Sequence, residues 1–198
     1  MTRLKTPSVS RPLRTVAEYL PCRNWLMKTE PDVFSFDALV ALVATGAVGE
    51  RWDGVRNYQA RNLMRDEMRV GDRVLFYHSN AEPPGVVGVA RVVEAASPDL
   101  SALNPASPYF DPKATPENPR WVCVTIGAPT RFPCYVPLER LREEPLLAGM
   151  LLVRPGQRLS VLPVDDEEFN VIARLGGLDL RASLLEKATP EKSKEYMP

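Results

Sequence analysis

The sequence predicts a single domain of the α+β class, a small mixed β-barrel of five to six short strands flanked by short helices. Three observations predict it. The apolar runs rich in β-branched and aromatic residues are short and bounded by turn signals such as Gly71-Asp72 and Pro83-Pro84-Gly85. The segments with helical spacing are also short, and few are placed to serve as crossovers between parallel strands. Twenty prolines against eleven glycines, spread between apolar runs over 198 residues, suit short elements joined by ordered loops.

Residues 24–29 (NWLMKT) read as the first strand. Ser35 then offers an N-cap oxygen to a helix carrying Phe36, Leu39, Val40, Leu42 and Val43, which Gly46 ends. After a loop through Trp52-Asp53-Gly54, Ala60, Leu63, Met64 and Met68 recur at helical spacing within 57–68, with Arg61 and Arg65 on another face. Residues 73–78 and 86–95 form a hairpin with a wide loop. Residues 97–119 hold six prolines and read as an irregular surface excursion. A strand at 121–126, a short helix at 137–144, a last strand at 159–162 and a helix at 165–175 complete the order. The domain spans 23–178, preceded by an N-terminal extension, 1–22, and followed by a Glu-, Lys-, Ser- and Pro-rich tail, 179–198, both expected to be flexible.

Composition narrows the function classes. Lys plus Arg and Asp plus Glu number 25 each, so no molecule-wide field draws the chain to a polyanion, and any nucleic-acid contact must be local. Cys22, Cys123 and Cys134 form no CxxC pair, which argues against a zinc site and a disulfide framework. No apolar stretch approaches the roughly 20 residues of a membrane helix. His78 is the only histidine and no nucleophile elbow accompanies it, so hydrolytic chemistry starts weak. Glycine-rich phosphate loops are lacking, and no cofactor is implied. Asp165-Asp166-Glu167-Glu168 opens a helix, where acids favour the dipole, and reads as capping.

Three groups could carry function. The run 51–62 packs Trp52, Tyr58, two asparagines and Arg51, Arg56 and Arg61 around Gly54. Aromatic faces stack on an extruded base, amides meet its edge, and arginines on the next helix, Arg61 and Arg65, can hold flanking phosphates. The same residues also suit a plain core tryptophan, a turn and a salt bridge. Phe76-Tyr77-His78-Ser79-Asn80 ends a strand in polar groups at a barrel mouth, or simply begins a turn. Trp25, Lys28 and Glu30 alternate along the first strand, where Lys28 and Glu30 could also form a surface pair.

Taken together, Trp25-Leu26-Met27-Lys28-Thr29-Glu30-Pro31, the run 52–62, Gly71-Asp72 with 76–80, Ser107-Pro108-Tyr109-Phe110-Asp111-Pro112, Asn118-Pro119-Arg120-Trp121 and Leu159-Ser160-Val161-Leu162-Pro163-Val164 resemble the EVE domain family. The resemblance covers about 23–176 and implies a PUA-like fold related to YTH and ASCH domains. It also implies that a modified base of DNA or RNA is read in an aromatic-walled pocket without chemistry. By position it places Trp25, Trp52, Asn57, Tyr58, His78, Ser79 and Ser160 around that pocket, with Lys28 and Arg56 near its rim. Thr29 stands where many relatives have Ser, and Leu162 where many have Gln, so the pocket wall is expected to be more apolar at Leu162.

Two other readings stay open at this point. One is an enzyme acting on nucleotides, with His78 as base and Asp53 or Glu30 as second proton handler. The other is a protein-interaction or stress-associated scaffold using 97–119, with a vestigial pocket plugged by Leu162. As a reader, the chain has DNA or RNA as partner, no membrane partner and possible protein partners, and is a monomer or weak dimer. It works in a bacterial cytoplasm or a eukaryotic nucleus.

Overall fold

The structure is a computed structural model that describes residues 23–178. The extension 1–22 and the tail 179–198 lie outside the described residues. Six strands, β1 (Asn24–Thr29), β2 (Glu50–Arg51), β3 (Arg73–His78), β4 (Gly85–Pro98), β5 (Val122–Pro137) and β6 (Val161–Val164), form one mixed sheet in the order β2-β5-β4-β3-β1-β6. Among these described strands only β1 and β3 pair in parallel. Short helices α1 (Phe36–Ala44), α2 (Tyr58–Asn62), α3 (Leu138–Glu143) and α4 (Asp166–Leu175) flank the sheet. This is the PUA-like mixed fold expected from the sequence.

Strand alternation sorts the apolar side chains into two cores. Trp25 and Met27 of β1 join Val74 and Phe76 of β3 on one face, under α1 and α2. Leu26, Leu75 and Tyr77 face the other side and meet Phe169 and Ile172 of α4. α1 starts where Ser35 Oγ accepts from Ala38 N at 3.0 Å. α4 starts with a capping box between Asp165 and Glu168, so the acidic run caps a helix as its sequence suggests.

Three elements differ from the sequence expectation. The helix expected over 57–68 is broken: α2 ends at Asn62 and a π-helical turn, Leu63–Glu67, follows. The two-residue strand β2 pairs Glu50 and Arg51 with Ile126 and Thr125, too short a segment for periodicity to register. β5 continues through Gly127-Ala128-Pro129 to Pro137, where a strand ending at Ile126 was expected. Between the pairs Arg91↔Gly127 and Val89↔Thr130, three residue steps on β5 face two on β4, and Ala128 adopts φ 47°. This bulge absorbs a proline that cannot donate to the ladder, so a turn signal sits inside a continuous strand.

The parallel pair sets the location of the site. β1 and β3 end side by side at Thr29 and His78, and Ser79 N donates to Thr29 O at 2.8 Å. Lys28 N donates to Ser160 O at 2.8 Å just before β6, so three chain segments converge on one rim. Ligand crevices favour the carboxyl ends of parallel strands.

Candidate nucleic-acid interface

A cleft of about 650 Å³ opens at this rim, within the range of about 300–1,000 Å³ of small-ligand sites. Its walls come from the end of β1 (Lys28, Thr29) and the following Glu30, from Val33 and Phe34, from β2 and the loop after it (50–56), from Ser79 after β3, from Tyr109, and from Gln157, Arg158 and Ser160. Phe34, Trp52 and Tyr109 supply aromatic surface. Trp52 is 8% exposed and its ring meets Phe76 edge-on at 5.5 Å, so it belongs to the core and the wall together.

The loop bearing Trp52 is shaped by Gly54, Arg56 and Asp99. Gly54 adopts φ +73°, and a Cβ there would lie 2.7 Å from the Tyr109 ring, so only glycine fits. Asp99, 1% exposed, accepts from Gly54 N at 3.0 Å, Arg56 Nη1 at 2.7 Å, and Ser101 N and Oγ at 2.9 and 2.6 Å. Burial alone raises the Asp99 carboxyl, but these hydrogen bonds and the Arg56 charge outweigh it and hold the group below the usual carboxylate range. The Arg56 guanidinium also donates from Nε to Tyr109 O at 2.8 Å and from Nη2 to Tyr109 O and Ser101 Oγ. It lies over the Tyr109 and Trp121 rings at 5.6 and 5.3 Å. One arginine thus ties the Trp52 loop to the proline-rich excursion and sets Tyr109 against Gly54.

Of the residues singled out in the sequence, Lys28, Trp52, Arg56, Ser79 and Ser160 line the cleft. The placement of the others departs from expectation. Trp25 sits three residues before Lys28, about 10 Å along the strand, and is buried on the opposite face with Nε1 donating to Asp72 Oδ2 at 2.8 Å. Leu162 is fully buried in the second core, so it neither lines nor plugs the cleft. Asn57 is the N-cap of α2, its Oδ1 accepting from Gln59 N and Ala60 N. Tyr58 stacks on Trp121 at 4.8 Å, and its hydroxyl accepts from Arg120. His78 Nε2 accepts from Phe36 N at 3.1 Å, outside the cleft wall.

The expected phosphate contacts are also otherwise engaged. Arg56 is bound as described. Arg61 donates to Asn62 Oδ1 and Arg120 O and covers the Tyr58 ring at 4.7 Å. Arg65 forms a two-point pair with Asp66 at 2.7 and 2.8 Å. The sequence pattern did not single out Val33, Phe34, Gln157 or Arg158. Tyr109 carried a signal only as part of the Ser107-to-Pro112 block.

Charge in the cleft is mixed. Glu30, Glu50 and Asp53 face Lys28, Arg51, Arg56 and Arg158. Burial, then the Asp53 charge, raises the Glu50 carboxyl, while burial and Asp99 raise Asp53 against the opposing arginines. Burial lowers the Lys28 ammonium. Burial and the Arg131 charge also lower the His78 imidazole, consistent with a neutral ring accepting the Phe36 amide. Such a cleft can stack a planar ring and accept hydrogen bonds from an exocyclic amine on its edge.

Residues 23–175 match the EVE domain family. Thymocyte nuclear protein 1 of Mus musculus is 37% identical over 169 residues, spanning 76% of this chain and 72% of its own length. An uncharacterised protein of Schizosaccharomyces pombe is 39% identical, over 77% of this chain and 68% of its own. A crystal structure from Pseudomonas putida is 46% identical with a TM-score of 0.72, covering 77% of this chain and 99% of that one. The crystal structure of human THYN1 protein in complex with 5-methylcytosine-containing DNA is 34% identical with a TM-score of 0.72, covering 79% of this chain and 99% of that one.

Proposed function

This chain belongs to the EVE domain family, and we propose that it is a non-catalytic DNA-binding module that holds one modified base, of the 5-methylcytosine kind, in the cleft at the ends of β1 and β3. The observation that carries the reading is the similarity along 79% of the chain to a protein solved with 5-methylcytosine-containing DNA. The cleft chemistry supports it. Phe34, Trp52 and Tyr109 offer apolar ring surface to a base extruded from its stack. Glu50 and Asp53 suit the exocyclic amine of cytosine, which carboxylates accept from. Val33 and Val55 offer apolar volume for a methyl group. His78 has its Nε2 occupied by the Phe36 amide and does not line the cleft, which weighs against general-base chemistry there.

Stacking contributes about 1–3 kcal/mol per base, and the net charge is zero, so the isolated domain is expected to bind in the micromolar range or weaker. The test is fluorescence anisotropy with otherwise identical strands carrying one 5-methylcytosine or one cytosine. The wild type is expected to prefer the methylated strand. Trp52→Leu, checked for folding by its melting temperature, should weaken that strand's binding about tenfold, the equivalent of about 1.4 kcal/mol. Equal affinity of the wild type for both strands would sink the reading.

A further inference from the structure

A second cleft, of about 330 Å³, adjoins the first and shares Lys28, Ser79, Gln157 and Arg158 with it. The two differ in charge. The first mixes three carboxylates with its cations, whereas the second is lined, among the described residues, by four cations, Lys28, Arg142, Arg154 and Arg158, and by no carboxylate. Arg142 extends from α3, and Arg154 and Arg158 flank the Pro155-Gly156 turn that precedes β6.

These cations have open donors. Among the described residues, the side chain of neither Arg142 nor Arg158 makes a hydrogen bond or ion pair. Arg154 donates from Nη2 to Gly149 O at 2.9 Å and feels Glu168, the capping acid of α4. Lys28 Nζ reaches Gln157 O at 3.4 Å. All three arginines are exposed. In a chain whose formal net charge is zero, arginines collected in a lining without carboxylates beside a mixed cleft form a local attraction for anionic oxygens, which arginine binds in two-point geometry.

We infer that this second cleft is the path of the polynucleotide backbone: Lys28, Arg142, Arg154 and Arg158 hold the phosphodiester groups next to the base that occupies the first cleft. The inference rests on the proposed function for the identity of the polymer. It replaces Arg56, Arg61 and Arg65 as the phosphate contacts, because those three are engaged within the domain. Lys28 and Arg158 lie on both clefts and mark the crossing from base to backbone.

Salt dependence of binding tests it. Each phosphate neutralised contributes about 0.7 to the slope of log K against log salt for a single strand. The variant Arg142→Gln/Arg154→Gln, whose two residues line the second cleft and not the first, is expected to flatten that slope by about 1.4 and to weaken methylated and unmethylated strands by the same factor. Binding of the free nucleoside 5-methyl-2′-deoxycytidine, which has no phosphate, should stay within twofold of wild type. An unchanged slope, or a wild type that binds no strand even at low salt, overturns the inference. A nucleoside that fails to bind, with both strands bound alike but along a slope that the double variant flattens, defeats the base-reading function and leaves the backbone path standing.

Discussion

The two sets of arginines in this protein have opposite fates, although both look alike in a sequence. Arg56, Arg61 and Arg65 crowd the segment richest in aromatics and amides, and each is engaged by a neighbour: Asp99 and Tyr109 for the first, Asn62 and Arg120 for the second, Asp66 for the third. Arg142, Arg154 and Arg158 stand in unremarkable sequence surroundings, and they line a cleft whose wall, among the described residues, holds no carboxylate. An arginine near a ligand site is therefore as often part of the frame as part of the contact. What separates the two is how many of their donors are taken up by acceptors within the domain, whether carboxylate, amide or carbonyl.

The largest effects should come from the frame. Asp99→Ala leaves the Arg56 side chain, 24% exposed, without its carboxylate and frees the Gly54 and Ser101 donors. Removing one partner of a buried pair costs about 3–5 kcal/mol, here expected near the lower bound because Arg56 keeps Tyr109 O. At about 2–4 °C per kcal/mol for a chain of this size, the melting temperature should fall by roughly 6–12 °C. A fall under about 3 °C would show that the clamp is dispensable. Gly54→Ala comes next: the left-handed backbone and the Tyr109 ring in its way predict a loss of about 1–3 kcal/mol and a displaced Tyr109, read by thermal melting together with binding of the methylated strand.

A proton test sharpens the same distinction between frame and contact. His78 accepts from Phe36 N and its imidazole is held below the ordinary value of 6.5. The unfolded chain then binds the proton more readily, so stability is full above about 6.5 and falls as pH drops below it toward the folded value. His78 is the only histidine, which makes the effect separable. Urea midpoints should fall between pH 7.5 and 5.5 in the wild type, and less so in His78→Gln, whose amide oxygen can still accept from Phe36. Identical pH profiles for the two proteins would remove His78 from the frame.

Much of the fold was legible because alternation and capping are local. The strands β1 and β3, the Ser35 cap and the acidic cap of α4 follow from residues within a few positions of each other. The site was legible only in part. Trp52 and Gly54 announced a special loop, but Asp99 and Tyr109, which fix its shape, lie more than 40 residues away in sequence. The resemblance put Trp25 at the pocket, whereas it lies three residues, about 10 Å, before Lys28 along the strand and is buried in the core. Asn57, two residues before Gln59, carried a helix-start signal that outweighed its use as a base contact. Gln157 and Arg158 had no local signal at all, since only the path into β6 brings them beside β1.

The smallest expected effect completes the comparison of the two arginine sets. Arg65 is paired with its sequence neighbour Asp66 on an exposed turn and lines none of the clefts described. Exposed pairs of this kind contribute little to stability and are screened by salt. Arg65→Gln should therefore leave the melting temperature and the salt slope of strand binding where they are, in the same assay in which Arg158→Gln flattens the slope by about 0.7. Measured side by side, the pair isolates position from charge, because each substitution removes one positive charge from an exposed arginine. Equal flattening by both would mean that the strand feels only the summed charge of the surface, and the distinction between framing and contacting arginines would lose its physical basis.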